Sequence, residues 1–121
     1  MAITGFCMGG ALALAAAAAS DIFSSCVPYY GAPRADMGVN IGNIKCPCLG
    51  HFGETDHAVG FSDPETARKL EVDAKALGVD FTLRMWPAGH AFMNQANPET
   101  YNAEVAKQSL QETVAFFNKH F

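Results

Sequence analysis

The chain has 121 residues, half of them apolar, and a formal net charge of -4 from 8 basic and 12 acidic side chains. That length fits one folded domain, and the apolar share argues against disorder. The mild charge and the lack of any Lys/Arg cluster leave out the concentrated basic surface that phosphate backbones require, so no nucleic-acid partner is expected.

Ala2–Phe6 reads as a short apolar strand ending at a glycine-containing turn, and a helical pattern starts straight after Cys7. Gly9–Ser20 is dominated by alanine, the best helix former, whose small side chain lets a helix lie close to a sheet. Ala11–Ala19 has the look of a signal-peptide core, yet no Lys or Arg precedes Arg34, and the run is too short to span a bilayer. The expectation is a cytoplasmic chain with no membrane association.

Ser24–Tyr30 is the next strand candidate, stopped by Gly31, Ala32 and Pro33, and Arg34–Lys45 is a loop rich in Gly and Asn. Cys46–Phe52 suits a strand buried on both faces, with a polar turn at Gly53–Asp56 behind it. Asp63-Pro64-Glu65 reads as N-cap, first-turn proline and early acid, opening a helix to about Leu77 with Gly78 placed to stop it. Phe81, Leu83 and Met85 alternate with Thr82, Arg84 and Trp86 in a last strand before Pro87-Ala88-Gly89. After a loop from His90 to Pro98, an amphipathic helix is predicted from about Glu99 to Asn118, with Tyr101, Val105, Leu110, Val114 and Phe117 on one broad face.

Strands alternating with helices predict a parallel sheet covered on both faces, with right-handed crossovers. Ligands of such sheets bind beyond the carboxyl ends of the strands. Cys7, Asp56 and His90 each fall just after a predicted strand, so one edge of the sheet should gather all three.

Gly5-Phe6-Cys7-Met8-Gly9-Gly10 matches a G-x-nucleophile-x-G turn, in which small flanking residues let a sharp strand-to-helix bend lift the nucleophile out of the sheet. The helix that follows points its N-terminus at the thiol, where the dipole favours an anion. The backbone N–H of Met8 is a candidate oxyanion-hole donor. Asp56 lies 49 residues after Cys7, and His90 lies 34 after Asp56. That order suits His90 as base and Asp56 as its orienting acid.

The remaining polar residues have plainer readings. Asp36 and Glu54 look solvated, Asp63 is a cap, His57 a loop residue, and His120 sits on the last helix. His51 falls in a predicted strand and reads as a hydrogen-bonded core histidine. Four cysteines without a secretion signal read as free thiols. Cys46-Pro47-Cys48 lacks the spacing of zinc or redox motifs, so core packing is favoured over a zinc site with His51. No metal or cofactor is expected.

The stretches Gly5–Ala13, Tyr29-Tyr30-Gly31, Pro47–Asp56 and Ala88–Phe92 resemble dienelactone hydrolases, in the family's order and with similar gaps. The resemblance implies an α/β-hydrolase fold and hydrolysis of a small ester or lactone through a thiol ester, without cofactor. It places Cys7, Asp56 and His90 as a catalytic triad, Met8 in the oxyanion hole, and Tyr30, Phe92 and Asn94 beside the substrate. Two positions depart from the family: Asn94 stands where an arginine holds a substrate carboxylate, and Ala91 replaces the serine after the histidine.

The resemblance covers nearly all of this chain but only the second half of a typical member. The expected architecture is therefore a partial α/β-hydrolase fold of about four mainly parallel strands flanked by helices, residues 1–121 forming one domain without the N-terminal half. With that half would go a second oxyanion donor and another substrate-binding arginine. The Ala2–Phe6 edge would be left unpaired, a template for association. A homodimer or larger oligomer through that edge or the Gly9–Ser20 helix is expected. The alternative to an enzyme is a non-catalytic half-domain or gene fragment that self-associates or complements a partner.

Overall fold

Mostly apolar strands, whose successive side chains point to opposite sides, build a sheet that is covered on both faces. The computed structural model describes residues 1–121. Four strands, β1 (Ala2–Phe6), β2 (Ser25–Tyr29), β3 (Cys48–Gly53) and β4 (Phe81–Trp86), pair in parallel in chain order. Helix α1 (Met8–Ala19) joins β1 to β2, α2 (Pro64–Ala76) joins β3 to β4, and α3 (Ala103–Lys119) closes the chain. The Gly- and Asn-rich loop contains two single 3-10 turns, Ala35–Met37 and Ile41–Asn43. No helix is long and apolar enough to cross a membrane.

Because successive strand residues point to opposite faces, each strand feeds two cores. Cys26, Cys48, Phe52 and Phe81 face α1 and α2, meeting Leu14, Ala17, Leu70 and Ala74. Val27, Tyr29, Leu49 and Trp86 face the other side, under Val105 with Phe116 and Phe117. All six residues of β3 are buried, as a strand covered on both faces requires, His51 being its one polar side chain. Cys46 and Cys48 belong to the first core together with Cys26. Hydrogen bonding to Cys48, then burial, raises the Cys46 thiol, and hydrogen bonding to Cys26 leads the rise at Cys48.

The ends of α2 follow their local chemistry. Pro64 occupies the first turn behind N-cap Asp63, whose Oδ1 accepts from the Gly60 N–H at 2.9 Å and from the Thr66 hydroxyl. Gly78 has φ +83°, a left-handed conformation that costs a glycine little and stops the helix.

Helix α3 departs from the sequence expectation twice. It starts at Ala103, because Asn102 caps it by accepting the Val105 N–H at 3.1 Å, while residues 97–101 form turns on the Asn97 carbonyl. Its buried stripe is Val105, Ser109 and Thr113, whereas Leu110 and Val114 are half exposed. A polar network sets that rotation. Trp86 Nε1 donates to His51 Nδ1 at 3.0 Å, which leaves the His51 hydrogen on Nε2, 3.0 Å from Thr113 Oγ1. The Thr113 hydroxyl donates to the Ser109 carbonyl at 2.8 Å, so Tyr29 OH, also at 2.8 Å, donates to it. Every group is satisfied, as deep burial demands. Burial holds His51 neutral, pushing its pKa down to about 4.

Candidate active site

The parallel register aligns the carboxyl ends of all four strands: Phe6 pairs with Tyr29, Tyr29 with His51, and Gly53 with Trp86. Hydrogen bonds continue past the strands, with Cys7 N–H donating to Tyr29 O at 3.0 Å and Glu54 N–H to Trp86 O at 2.8 Å. These bonds fix where each following turn begins, and hence where Cys7, Asp56 and His90 stand.

Cys7 has φ 59° and ψ -124° between β1 and α1, a conformation that projects its side chain away from both elements. Steric space around the bend explains the glycines. A Cβ on Gly5 would lie 2.0 Å from Gly9 O, and one on Gly10 would lie 2.6 Å from Tyr29 O, while one on Gly9 would meet nothing within 4 Å. The close approach of helix to strand therefore depends on Gly5 and Gly10.

Cys7 Sγ lies 3.2 Å from His90 Nε2, and His90 Nδ1 lies 2.8 Å from Asp56 Oδ2. The three side chains predicted to meet do meet, although 83 residues separate the thiol from the imidazole. Asp56 is buried and Cys7 exposed, so the line of contacts runs from the interior to the surface. The second Asp56 oxygen accepts the Ala58 N–H at 2.9 Å, which keeps Oδ2 turned to the histidine. Tyr30 meets the His90 ring edge-on at 5.2 Å between centroids.

A cleft of about 320 Å³ opens beside the thiol, lined by Phe6, Cys7, Tyr30, Ala91, Met93 and Asn94. Tyr30 and Asn94 border it. Phe92 does not: it is fully buried and packs edge-on against Tyr30 at 5.0 Å. Asn94 Oδ1 accepts the Ala96 N–H at 3.0 Å, leaving its amide hydrogens to donate. Burial raises the Tyr30 phenol to about 12, so it stays a neutral hydroxyl. The non-glycine residues with positive φ are Cys7, Tyr30 and Ala91, and all three line this cleft, where backbone strain of about 1–3 kcal/mol each is characteristic of working sites.

One residue at this site escaped the sequence reading. Ser62, fully buried, places its Oγ 3.0 Å from His90 Nδ1. No motif marks it; only its position just ahead of the α2 cap hinted that it would be held rigidly. The expected bystanders stay aside: Glu54 pairs with Arg68 at 2.7 Å on the surface, and His51 belongs to the network under α3.

Comparison with known proteins matches residues 1–121 to the model of the dienelactone hydrolase family. Protein usf of Aquifex pyrophilus is 31% identical over 98% of this chain and 50% of its own length. A carboxymethylenebutenolidase of Pseudomonas sp. strain P51 is 29% identical over 98% of this chain and 48% of its own. The solved structure of a Klebsiella pneumoniae protein, provisionally named a dienelactone hydrolase, superposes with a TM-score of 0.83 at 26% identity, covering 97% of this chain and 51% of that one. The chain spans about half the length of the curated relatives it matches.

Proposed function

This chain belongs to the dienelactone hydrolase family, and on that footing we propose that it hydrolyses small esters or lactones through a thiol ester on Cys7. The observation that carries the proposal is the unbroken line Cys7 Sγ, His90 Nε2, His90 Nδ1, Asp56 Oδ2, with contacts of 3.2 and 2.8 Å. Both contacts suit the proton transfers that activate a nucleophile.

His90 takes the thiol proton on Nε2, and the sulfur attacks the substrate carbonyl carbon. The carbonyl oxygen becomes an oxyanion. Met8 opens α1, so its N–H has no carbonyl four residues back within the helix and is free to donate to that oxygen. Collapse expels the alcohol oxygen, which His90 protonates, leaving an acyl group on Cys7. His90 then deprotonates water for attack on the thiol ester, and Cys7 departs as thiolate. Asp56 keeps the imidazole oriented and stabilises it while it is charged. Tyr30 and Asn94 border the substrate with donor groups, and Phe92 supports Tyr30 from beneath. None of the six lining residues carries a cation, which fits an uncharged ester better than a carboxylate.

Turnover of p-nitrophenyl acetate by this chain, lost on Cys7→Ala, is the expected result. Full activity in Cys7→Ala overturns the nucleophile assignment, and no turnover by the unaltered chain overturns the reading as an enzyme.

Self-association has its own support. The outer edge of β1 is unpaired, and Phe6, Met8, Leu12 and Ile22 are exposed around it. Strand edges and clustered apolar surface both favour association. A homodimer or larger oligomer would cover them. Chemistry on a free thiol also suits a reducing compartment such as the cytoplasm.

A further inference from the structure

We infer that Ser62 is a positioning residue for His90, sharing the Nδ1 hydrogen with Asp56 as a second acceptor. The inference rests on the reading of Cys7 and His90 as nucleophile and base. Nδ1 has two oxygen neighbours, Asp56 Oδ2 at 2.8 Å and Ser62 Oγ at 3.0 Å. A carboxylate only accepts, so the hydrogen must sit on Nδ1, and Ser62 Oγ must present a lone pair to it rather than donate.

Both acceptors are rigidly held. Asp56 is fixed through its other oxygen by the Ala58 N–H. The Ser62 N–H donates to the Ala58 carbonyl at 3.0 Å, and the next residue caps α2. Ser62 is fully buried, so water does not compete for the contact. Two acceptors on Nδ1 keep the Nε2 lone pair facing Cys7 Sγ. They also strengthen as the ring gains its second proton, because hydrogen bonds to a charged donor exceed neutral ones. Ser62 thereby favours the thiolate–imidazolium pair over thiol and neutral imidazole.

Iodoacetamide alkylation of Cys7 tests this without any ester substrate. Within each variant, the rate near neutrality is divided by the rate at alkaline pH, where the thiol is anionic whatever His90 does. A merely structural role moves both rates and leaves the ratio unchanged. Ser62→Ala should lower the ratio about three- to tenfold, the scale of one hydrogen bond, and Ser62→Thr should retain it. Losing Ser62 should cost more in an Asp56→Ala background, where no other acceptor remains. An unchanged ratio in Ser62→Ala, an Ala-like loss in Ser62→Thr, or equal cost in both Asp56 backgrounds overturns the inference. Ester turnover with an unmoved ratio removes only the Ser62 role. A Ser62-dependent ratio without turnover removes only the hydrolase reading.

Discussion

Trp86 Nε1 donates to His51 Nδ1 at 3.0 Å, and this bond decides which nitrogen of a buried imidazole carries its hydrogen. Protonation of His51 would require Nδ1 to give up that acceptor role while the ring stays out of water. The folded pKa of about 4 lies below the ordinary value near 6.5, so between them the unfolded chain binds the extra proton. The stabilisation is complete above the unfolded pKa and is lost as pH falls from about 6.5 toward 4. The expected loss is roughly 3 kcal/mol. Urea titrations across this window should show the decline, with a much smaller slope in His51→Gln.

Thr113→Val should be costly because two buried donors, Tyr29 OH and His51 Nε2, converge on one hydroxyl. Orphaning both is expected to cost about 2–5 kcal/mol, while Thr113→Ser should cost less than about 1.5 kcal/mol by losing only a methyl. Equal losses in the two variants, measured by denaturant unfolding, would assign the effect to packing instead.

The glycines of the elbow should separate cleanly. Gly5→Ala brings a Cβ to 2.0 Å from Gly9 O and should destabilise by on the order of 3 kcal/mol. Gly9→Ala has open space and should gain about 0.5–1 kcal/mol from helix propensity. Unfolding midpoints of the two variants give the comparison.

Among the four thiols, Cys7 should react first with iodoacetamide. It is exposed, whereas Cys26, Cys46 and Cys48 are buried, and the last two are held protonated. Peptide mapping of native protein at partial labelling reads the order; earlier modification of Cys46 or Cys48 would contradict it.

Much of this architecture was legible because strand and helix signals coincided with strong punctuation: the glycines around Cys7, Asp63-Pro64 before α2, and Gly78 after it. The meeting of Cys7, Asp56 and His90 was legible for a topological reason, since parallel strands put their following turns on one edge. The rotation of α3 was not. Hydropathy favours Leu110 and Val114 as its inner face, but Thr113 turns inward because Tyr29 and His51 need its hydroxyl, and a partner 62 residues away along the chain leaves no local pattern. The motif around His90 puts Phe92 beside the substrate, while the fold buries it against Tyr30. Ser62 had no motif at all.

The network under α3 also ties the last helix to the sheet in time. Thr113 holds partners on β2 and β3, while Glu112 next to it grips Arg84 on β4 through two bonds of 2.8 Å. Arg84 in turn lies over the Trp86 ring at 4.3 Å. For the centre of α3 to open alone, it would have to strand the buried Tyr29 and His51 and break the half-exposed Arg84–Glu112 pair at once. Terminal helices commonly fray at little cost, but segments sharing buried polar partners open as one unit. Backbone amides near Ser109–Thr113 should therefore exchange with solvent deuterium as slowly as those of β2 and β3, while the last turn at Asn118–Lys119 exchanges freely. The chain's final helix moves on the clock of its core.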